Sequence, residues 1–252
     1  MTIDYVIMST DGNKLYDNFW EINKTIWSEV IGVKPILVMV GDEDKIEYNE
    51  DSVIVYYKKV EGVETSFQAQ IARLYVTSLF LDNTLLTSDI DMIPLSKNFF
   101  IDFAKEGKEN QLLIYTADAY GYHQQRRYPM CYNLAKGKTY KEILDLDCTF
   151  QEFVIRLKNL EIVPLWDTDE LYLGNCVYEF EKENSNRLVK KHRGFRDGYA
   201  VNRIDRDYWL ESCYEFNKIP EQYYYDCHSL RPYHKNKNEI DRVVNLILQT
   251  IK

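Results

Sequence analysis

A chain of 252 residues with 45% hydrophobic and 28% charged residues is long enough to bury a sizeable core as a soluble globular protein. Its formal net charge of −9 argues against generic duplex nucleic-acid binding, and it leaves any anionic ligand to local Arg and Lys side chains, backbone N–H groups or a metal. No apolar run approaches the ~20 residues of a membrane span, and the N-terminal MTIDYVIMSTDGNK has neither the basic start nor the apolar length of a signal peptide.

In chain order, IDYVIM (Ile3–Met8) reads as a buried strand closed by the turn cluster Ser-Thr-Asp-Gly. Leu15–Val30 has a helical pattern. PILVMV (Pro35–Val40) and SVIVYY (Ser52–Tyr57) are two further buried strands. Between Ser66 and Phe80, residues Ile71, Leu74, Tyr75, Ser78 and Leu79 share one face of a helix. TLLTS (Thr84–Ser88) is the fourth strand. Pro94 is placed to open a helix running through Ala104, and QLLIYT (Gln111–Thr116) is the fifth strand. The last third is less regular. It holds a helix in TFQEFVIRLKNL, the stretch WDTDELYLGN, the basic KKHRGFRDGYAVNRIDRD, YYYDCHSLRPYHKNKN, and a final helix. That helix presents Ile240, Val243, Val244, Ile247, Leu248 and Ile251 on one face.

Repeated strand–helix–strand units predict an α/β fold with a mainly parallel central sheet flanked by helices on both faces. No change in composition marks a second domain. Ligands of such sheets bind beyond the carboxyl ends of the strands. Ser9, Thr10, Asp11, Asp42, Asp89, Asp91 and Asp118 all follow predicted strands, so the spacing gathers them on one rim. The five cysteines, Cys131, Cys148, Cys176, Cys213 and Cys227, are odd in number, widely spaced and free of CxxC. They predict free thiols in a reducing, cytoplasmic setting and no zinc site.

The rim carries the chemistry. Asp89 and Asp91, an Asp-x-Asp after a central strand, can turn two carboxylates into one cleft. This suits Mg²⁺ or Mn²⁺ on a diphosphate, although an isolated pair of this kind reads first as a solvated turn, and it is the place after a central strand that favours the metal. Arg73 lies off the apolar stripe of the preceding helix, placed for a phosphate or for a surface ion pair. His228 in YDCHSLRPYH can join carboxylates on a transition metal, with His234 as the less favoured choice and with Arg231 and Lys235 nearby for phosphate. In WDTDELYLGN, Asp167 or Thr168 can cap a helix whose first turn holds Asp169 and Glu170. One of these two carboxylates is placed to take a proton from an attacking hydroxyl, beside a ring, Trp166, that can stack on a sugar. Lys190, Lys191, His192, Arg193 and Arg196 form either a flap over a phosphate-bearing ligand or a solvated hairpin, and HQQRRYP (His123–Pro129) has the same two readings. There is no GxGxxG, no GxxxxGK[ST] and no GxSxG, which argues against a classical dinucleotide fold, a P-loop NTPase and an α/β-hydrolase.

The order of a nucleotide-binding α/β half, TSDIDMIPL, WDTDELYL and a late histidine in YDCHSLRP resembles the GT-A glycosyltransferases, in particular compact enzymes of bacteria and large DNA viruses. The resemblance implies a single domain over residues 1–252. Residues 1–116 would bind the nucleotide sugar, and residues 117–252 would complete the metal and acceptor side. It implies Asp89, Asp91 and His228 as ligands of Mn²⁺ or Mg²⁺, and Glu170 or Asp169 as the base. Ser9, Thr10, Asp11, Asp42, Arg73, Asp89 and Asp118 would hold the donor. The partners would be a UDP- or GDP-sugar and a glycan or other hydroxyl acceptor. The acidic pair is Asp-Glu here where inverting enzymes carry Glu-Asp, which leaves the base and the stereochemistry open. Two other enzymes share parts of this pattern. A nucleotidyltransferase would carry a Gly-rich basic loop where STDGNK stands. A haloacid-dehalogenase phosphatase uses DxDx[TV], and Ile93 stands at its last place. A binding module without turnover is the non-enzyme alternative.

Overall fold

The apolar run after Asp4 forms strand β1 (Tyr5–Thr10), with alternate residues on opposite faces of the central sheet. This computed structural model describes residues 1–121, 126–160, 167–196, 199–209 and 214–251. Val6 and Met8 enter one apolar layer and Ile7 the other. The predicted helix from Leu15 to Val30 divides in three. A short turn at Lys14–Tyr16 ends before Asn18, whose φ of 71° breaks the helix. Then α1 (Phe19–Thr25) runs into a π-helical segment, Ile26–Ile31. Gly32, at φ 82°, closes that segment in the left-handed conformation that glycine accepts without strain.

β2 (Lys34–Gly41), β3 (Lys45–Tyr48) and β4 (Val53–Lys58) follow, then α2 (Thr65–Tyr75), which tightens over Val76–Leu79. The tightened turn rotates Leu79 out of the expected apolar stripe, and it is exposed. β5 (Thr84–Thr87) is fully buried. Pro94 closes a strand, β6 (Met92–Pro94), rather than opening a helix. Helix α3 (Lys97–Glu106) starts three residues later, because the Ser96 hydroxyl accepts the Phe99 N–H at 3.2 Å. Proline is tolerated in β6 because that strand lies at the edge of its small sheet.

β7 (Leu112–Ile114), β8 (Asn133–Lys136), α4 (Gly137–Leu144), α5 (Phe150–Lys158), α6 (Thr168–Asn184) and β9 (Leu188–Lys190) complete the main body. A two-stranded ribbon, β10 (Phe195–Arg196) with β11 (Tyr199–Ala200), precedes β12 (Arg203–Asp205), β13 (Asp226–His228) and the last helix α7 (Lys237–Leu248). Ile240, Val243 and Ile247 of α7 are buried, whereas Ile251 lies beyond the helix and is exposed.

The main sheet has the order β3-β4-β2-β1-β5-β8-β7-β9. The β4-β2-β1-β5 centre and the β7-β9 pair are parallel; β3-β4, β5-β8 and β8-β7 are antiparallel. The strand order therefore reverses beside β1, between β2 and β5, which is where open α/β sheets place their ligands. Helices cover both faces. Trp27, α3 and α7 pack with Val6, Met8 and Leu86 on one side, and α2, α4, α5 and α6 pack with Ile7, Ile36, Val38 and Leu85 on the other. The expected α/β architecture with a mainly parallel core is present. β8 stands between the fourth and fifth predicted strands, so the fifth is not their direct continuation.

A second sheet, β12-β13-β6, stands by itself. Its register aligns Asp205 with His228 and His228 with Met92, the residue after Asp91. Three segments far apart in sequence are thereby brought to one point.

Candidate active site

A cleft of about 770 Å³ opens beside the carboxyl ends of β1 and β5. That is ample for a ligand of nucleotide-sugar size. Ser9, Asp11, Arg73, Asp89, Asp91, Asp169, Glu170 and His228 all line it. Thr10, Asp42 and Asp118 do not. The Thr10 hydroxyl accepts the Gly12 N–H at 3.2 Å, inside the turn after β1. Asp42 is almost fully exposed and paired with Lys59 at 3.0 Å. Asp118 accepts the backbone N–H groups of Arg193 and Gly194 at 3.0 and 2.9 Å and so anchors the loop after β9.

Arg73 is neither a free phosphate contact nor a surface pair. Its guanidinium is buried and joins two elements. It donates to Asp89 Oδ1 after β5 and, at 2.6 Å, to Asp169 Oδ2 in the first turn of α6. Burial favours the neutral acids. At Asp89, which keeps some exposure, the guanidinium outweighs burial and the pKa falls below the usual carboxylate range. At Asp169, which is 1% exposed, burial prevails and the pKa rises. One cation thus serves two carboxylates, and the more deeply buried one is left the better proton holder.

Asp91 is the second centre. Its Oδ2 accepts Arg206 Nη1 at 2.6 Å, lies 3.4 Å from Arg231 Nε and 3.7 Å from His228 Nε2. The other imidazole nitrogen, Nδ1, is 3.4 Å from Asp205 Oδ1. Burial raises the Asp205 pKa, but the hydrogen bond and charge of His228 outweigh it, and the carboxyl sits below its ordinary value. With Asp205 holding Nδ1–H, a cation that displaces the Nε2 proton would meet a lone pair there, the tautomer a metal requires. Among the described residues, no three His, Cys, Asp or Glu side chains are grouped closely enough to hold a metal. The facing pair of Asp91 and His228 nevertheless offers a carboxylate oxygen and an imidazole nitrogen. That set suits a cation whose remaining positions are filled by phosphate and water. Asp89, expected to be a third ligand, has its Oδ1 on Arg73.

Glu170 is the third centre. The Tyr120 hydroxyl reaches both of its carboxylate oxygens, at 2.8 and 2.7 Å, and Arg127 Nε donates at 2.8 Å. Arg127 also holds Asp167 at 2.9 Å and stacks on the Tyr120 ring at 4.1 Å. Burial and the adjacent Asp169 push the Glu170 pKa up to about 7, despite the bonds from Tyr120 and Arg127. Asp167 occupies the cap position of α6, but its side chain makes no cap bond and turns to Arg127 instead. Trp166 lies outside the described residues, as do His123 and Cys213. The other four cysteines are free thiols, as expected.

The basic stretch is neither flap nor solvated hairpin at Arg193. Its guanidinium is fully buried and paired two-pronged with Asp226 at 2.9 and 2.7 Å, with Arg203 on the same carboxylate at 2.8 Å. Tyr16, Tyr120, Asp205 and Arg206 line the cleft without having been singled out in the sequence, and Arg127, from the HQQRRYP stretch, lines it too, held on carboxylates rather than folded over as a flap. Asp205 and Arg206 lie in RIDRD, whose only local signal is charge alternating about one buried isoleucine, Ile204.

No protein-family model matches the chain, and no curated protein matches it. Solved structures do. The galactosyltransferase LgtC, in complex with donor and acceptor sugar analogues, is 10% identical, with 97% of this chain and 95% of that one covered at a TM-score of 0.50. An active-site mutant of LgtC is 11% identical over the same shares at the same score. The glycosyltransferase GlyE of Streptococcus pneumoniae TIGR4 is 12% identical over all of this chain and 65% of its own, at 0.46. Among the described residues, no helix is long and apolar enough to cross a membrane. With a mixed, mostly parallel sheet, helices on both faces and a cleft at the strand reversal, the chain has the GT-A glycosyltransferase fold.

Proposed function

We propose that the protein is a glycosyltransferase that moves a sugar from a nucleotide-diphosphate donor, a UDP- or GDP-sugar, to a hydroxyl acceptor such as a glycan. The observation that carries this reading is the convergence, in one cleft of a GT-A fold, of Asp91 facing His228, of Asp89 and Asp169 joined by Arg73, and of Glu170 with a pKa near neutrality. In this reading residues 1–116 form the donor side, with Ser9 and Asp11 at the nucleotide. Residues 117–252 complete the cation site and the acceptor side. Asp91 and His228 would hold Mn²⁺ or Mg²⁺, which supplies Lewis-acid neutralisation of the departing diphosphate. Asp89 acts from its seat on Arg73, toward the donor.

The chain's own groups account for the proton. Glu170, fixed by Tyr120 and Arg127, is poised to accept a proton from the acceptor hydroxyl as that oxygen attacks the anomeric carbon. Asp169, held by Arg73, is the alternative base, and its guanidinium partner makes it the less available of the two. A panel of nucleotide sugars incubated with the protein and Mn²⁺ tests the reading. The expected result is release of nucleoside diphosphate from at least one donor, slowly without an acceptor. A binder without turnover would be stabilised against heat by a donor yet release nothing, and that result would overturn the enzymatic reading.

A further inference from the structure

Asp91 has more partners than one carboxylate oxygen can keep once a cation arrives. Arg206 Nη1 and Arg231 Nε both approach its Oδ2, at 2.6 and 3.4 Å, on the side where His228 Nε2 stands at 3.7 Å. A divalent ion bound to that oxygen would lie within a few ångströms of both guanidiniums, where like charges repel strongly in a poorly solvated cleft. The two arginines differ from their neighbours in freedom. Arg73 and Arg203 hold buried carboxylates at Asp169 and Asp226. Arg206 and Arg231 keep 19% and 21% of their side-chain exposure, while Asp91 keeps 7%. Arg231 also reaches across the cleft, donating to the Tyr16 hydroxyl on the turn after β1. Guanidiniums leave a carboxylate most readily for an anion that binds them at least as well, and a diphosphate binds them two-pronged.

We propose that Arg206 and Arg231 are diphosphate-binding residues that also act as place-holders for the cation on Asp91, so that the two ligands enter by exchange. The cation takes the carboxylate as the diphosphate takes the guanidiniums, and each ligand favours the other. The proposal rests on the reading of Asp91 as a cation ligand. It assigns to the arginines opposite effects on the two partners, which a purely structural role does not produce.

The test measures Mn²⁺ alone, by the electron-spin signal of free ion, and pyrophosphate in the presence of Mg²⁺, by calorimetry. Arg206→Gln and Arg231→Gln are each expected to bind Mn²⁺ alone about tenfold more tightly than wild type, and pyrophosphate about tenfold more weakly. A damaged fold cannot produce that gain. Variants that bind both probes more weakly, or both unchanged, would overturn the proposal. Asp91→Asn separates the two levels. If it loses Mn²⁺ binding while the arginine variants gain none, the exchange alone fails. If it keeps wild-type Mn²⁺ affinity, the reading of Asp91 fails and the exchange with it.

Discussion

At the scale of single residues, the cleft is governed by which charges are matched. Arg73 must neutralise Asp89 and Asp169 together, and Asp169 is left with a raised pKa. Glu170 follows the same logic one residue on, with its pKa raised by burial and by Asp169 from the ordinary 4.5 to about 7. The sign of the resulting pH dependence is fixed. A carboxyl whose pKa is higher in the fold than in the unfolded chain contributes stability below about 4.5, and that contribution is lost as the pH rises through about 7. Glu170→Gln is therefore expected to remove a decline of at most about 3 kcal/mol between those limits. Urea unfolding across that pH range reads it. If Glu170 is the base, the same variant slows turnover about a hundredfold or more and flattens the rise of kcat/KM toward neutral pH. Undiminished turnover would exclude it as base.

At the scale of elements, the site is assembled by close approaches that a sequence does not advertise. Gly174 lies one turn beyond Glu170 on α6, and a Cβ there would meet the Arg126 carbonyl oxygen at 2.0 Å. The missing side chain lets that loop press on the helix, which puts Arg127 over Tyr120 and against Glu170. Gly174→Ala is expected to displace the loop and to cost 1–3 kcal/mol, about the usual range for overpacking. It should also loosen the Arg127 clamp and raise the Glu170 pKa further, since a cation that lowers it moves away. Thermal melts and the pH midpoint of kcat/KM check both effects, and a variant as stable as wild type with an unchanged midpoint would contradict this role. The small β12-β13-β6 sheet is the other assembling device. It aligns Asp205 with His228 and His228 with Met92, and the buried Arg193–Asp226–Arg203 cluster ties β13 to β12 and to the loop after β9.

At the scale of the molecule, the sequence was legible where patterns are local. Apolar runs identified β1, β2, β4, β5 and β7, and the helical stripes of α2, α5 and α7 were readable from their spacing. Asp89, Asp91, Asp169 and Glu170, which line the cleft, were legible because each follows a strand or opens a helix, and His228 because an imidazole stands beside Arg231 and Lys235. β8 escaped because NLAK lacks the β-branched residues that mark strands, and Pro94 misled because proline suits an edge strand as well as a helix start. Asp42 follows a strand too, but β2 lies on the far side of β1 from the cleft-forming β5. Tyr120, Asp205 and Arg206 depend on pairings between distant segments, and no local pattern announces those; HQQRRYP drew notice for its charge, but not for the seat of Arg127 on Glu170. The cation, the diphosphate and both arginines of the proposed exchange meet at Asp91. The most direct test is calorimetric titration of UDP and of GDP into wild type and Asp91→Ala, with and without Mn²⁺. One nucleotide is expected to bind wild type in a Mn²⁺-dependent manner, and Asp91→Ala to lose about tenfold or more of that affinity. Failure of both nucleotides to bind wild type, or equal binding by Asp91→Ala with metal present, would contradict it.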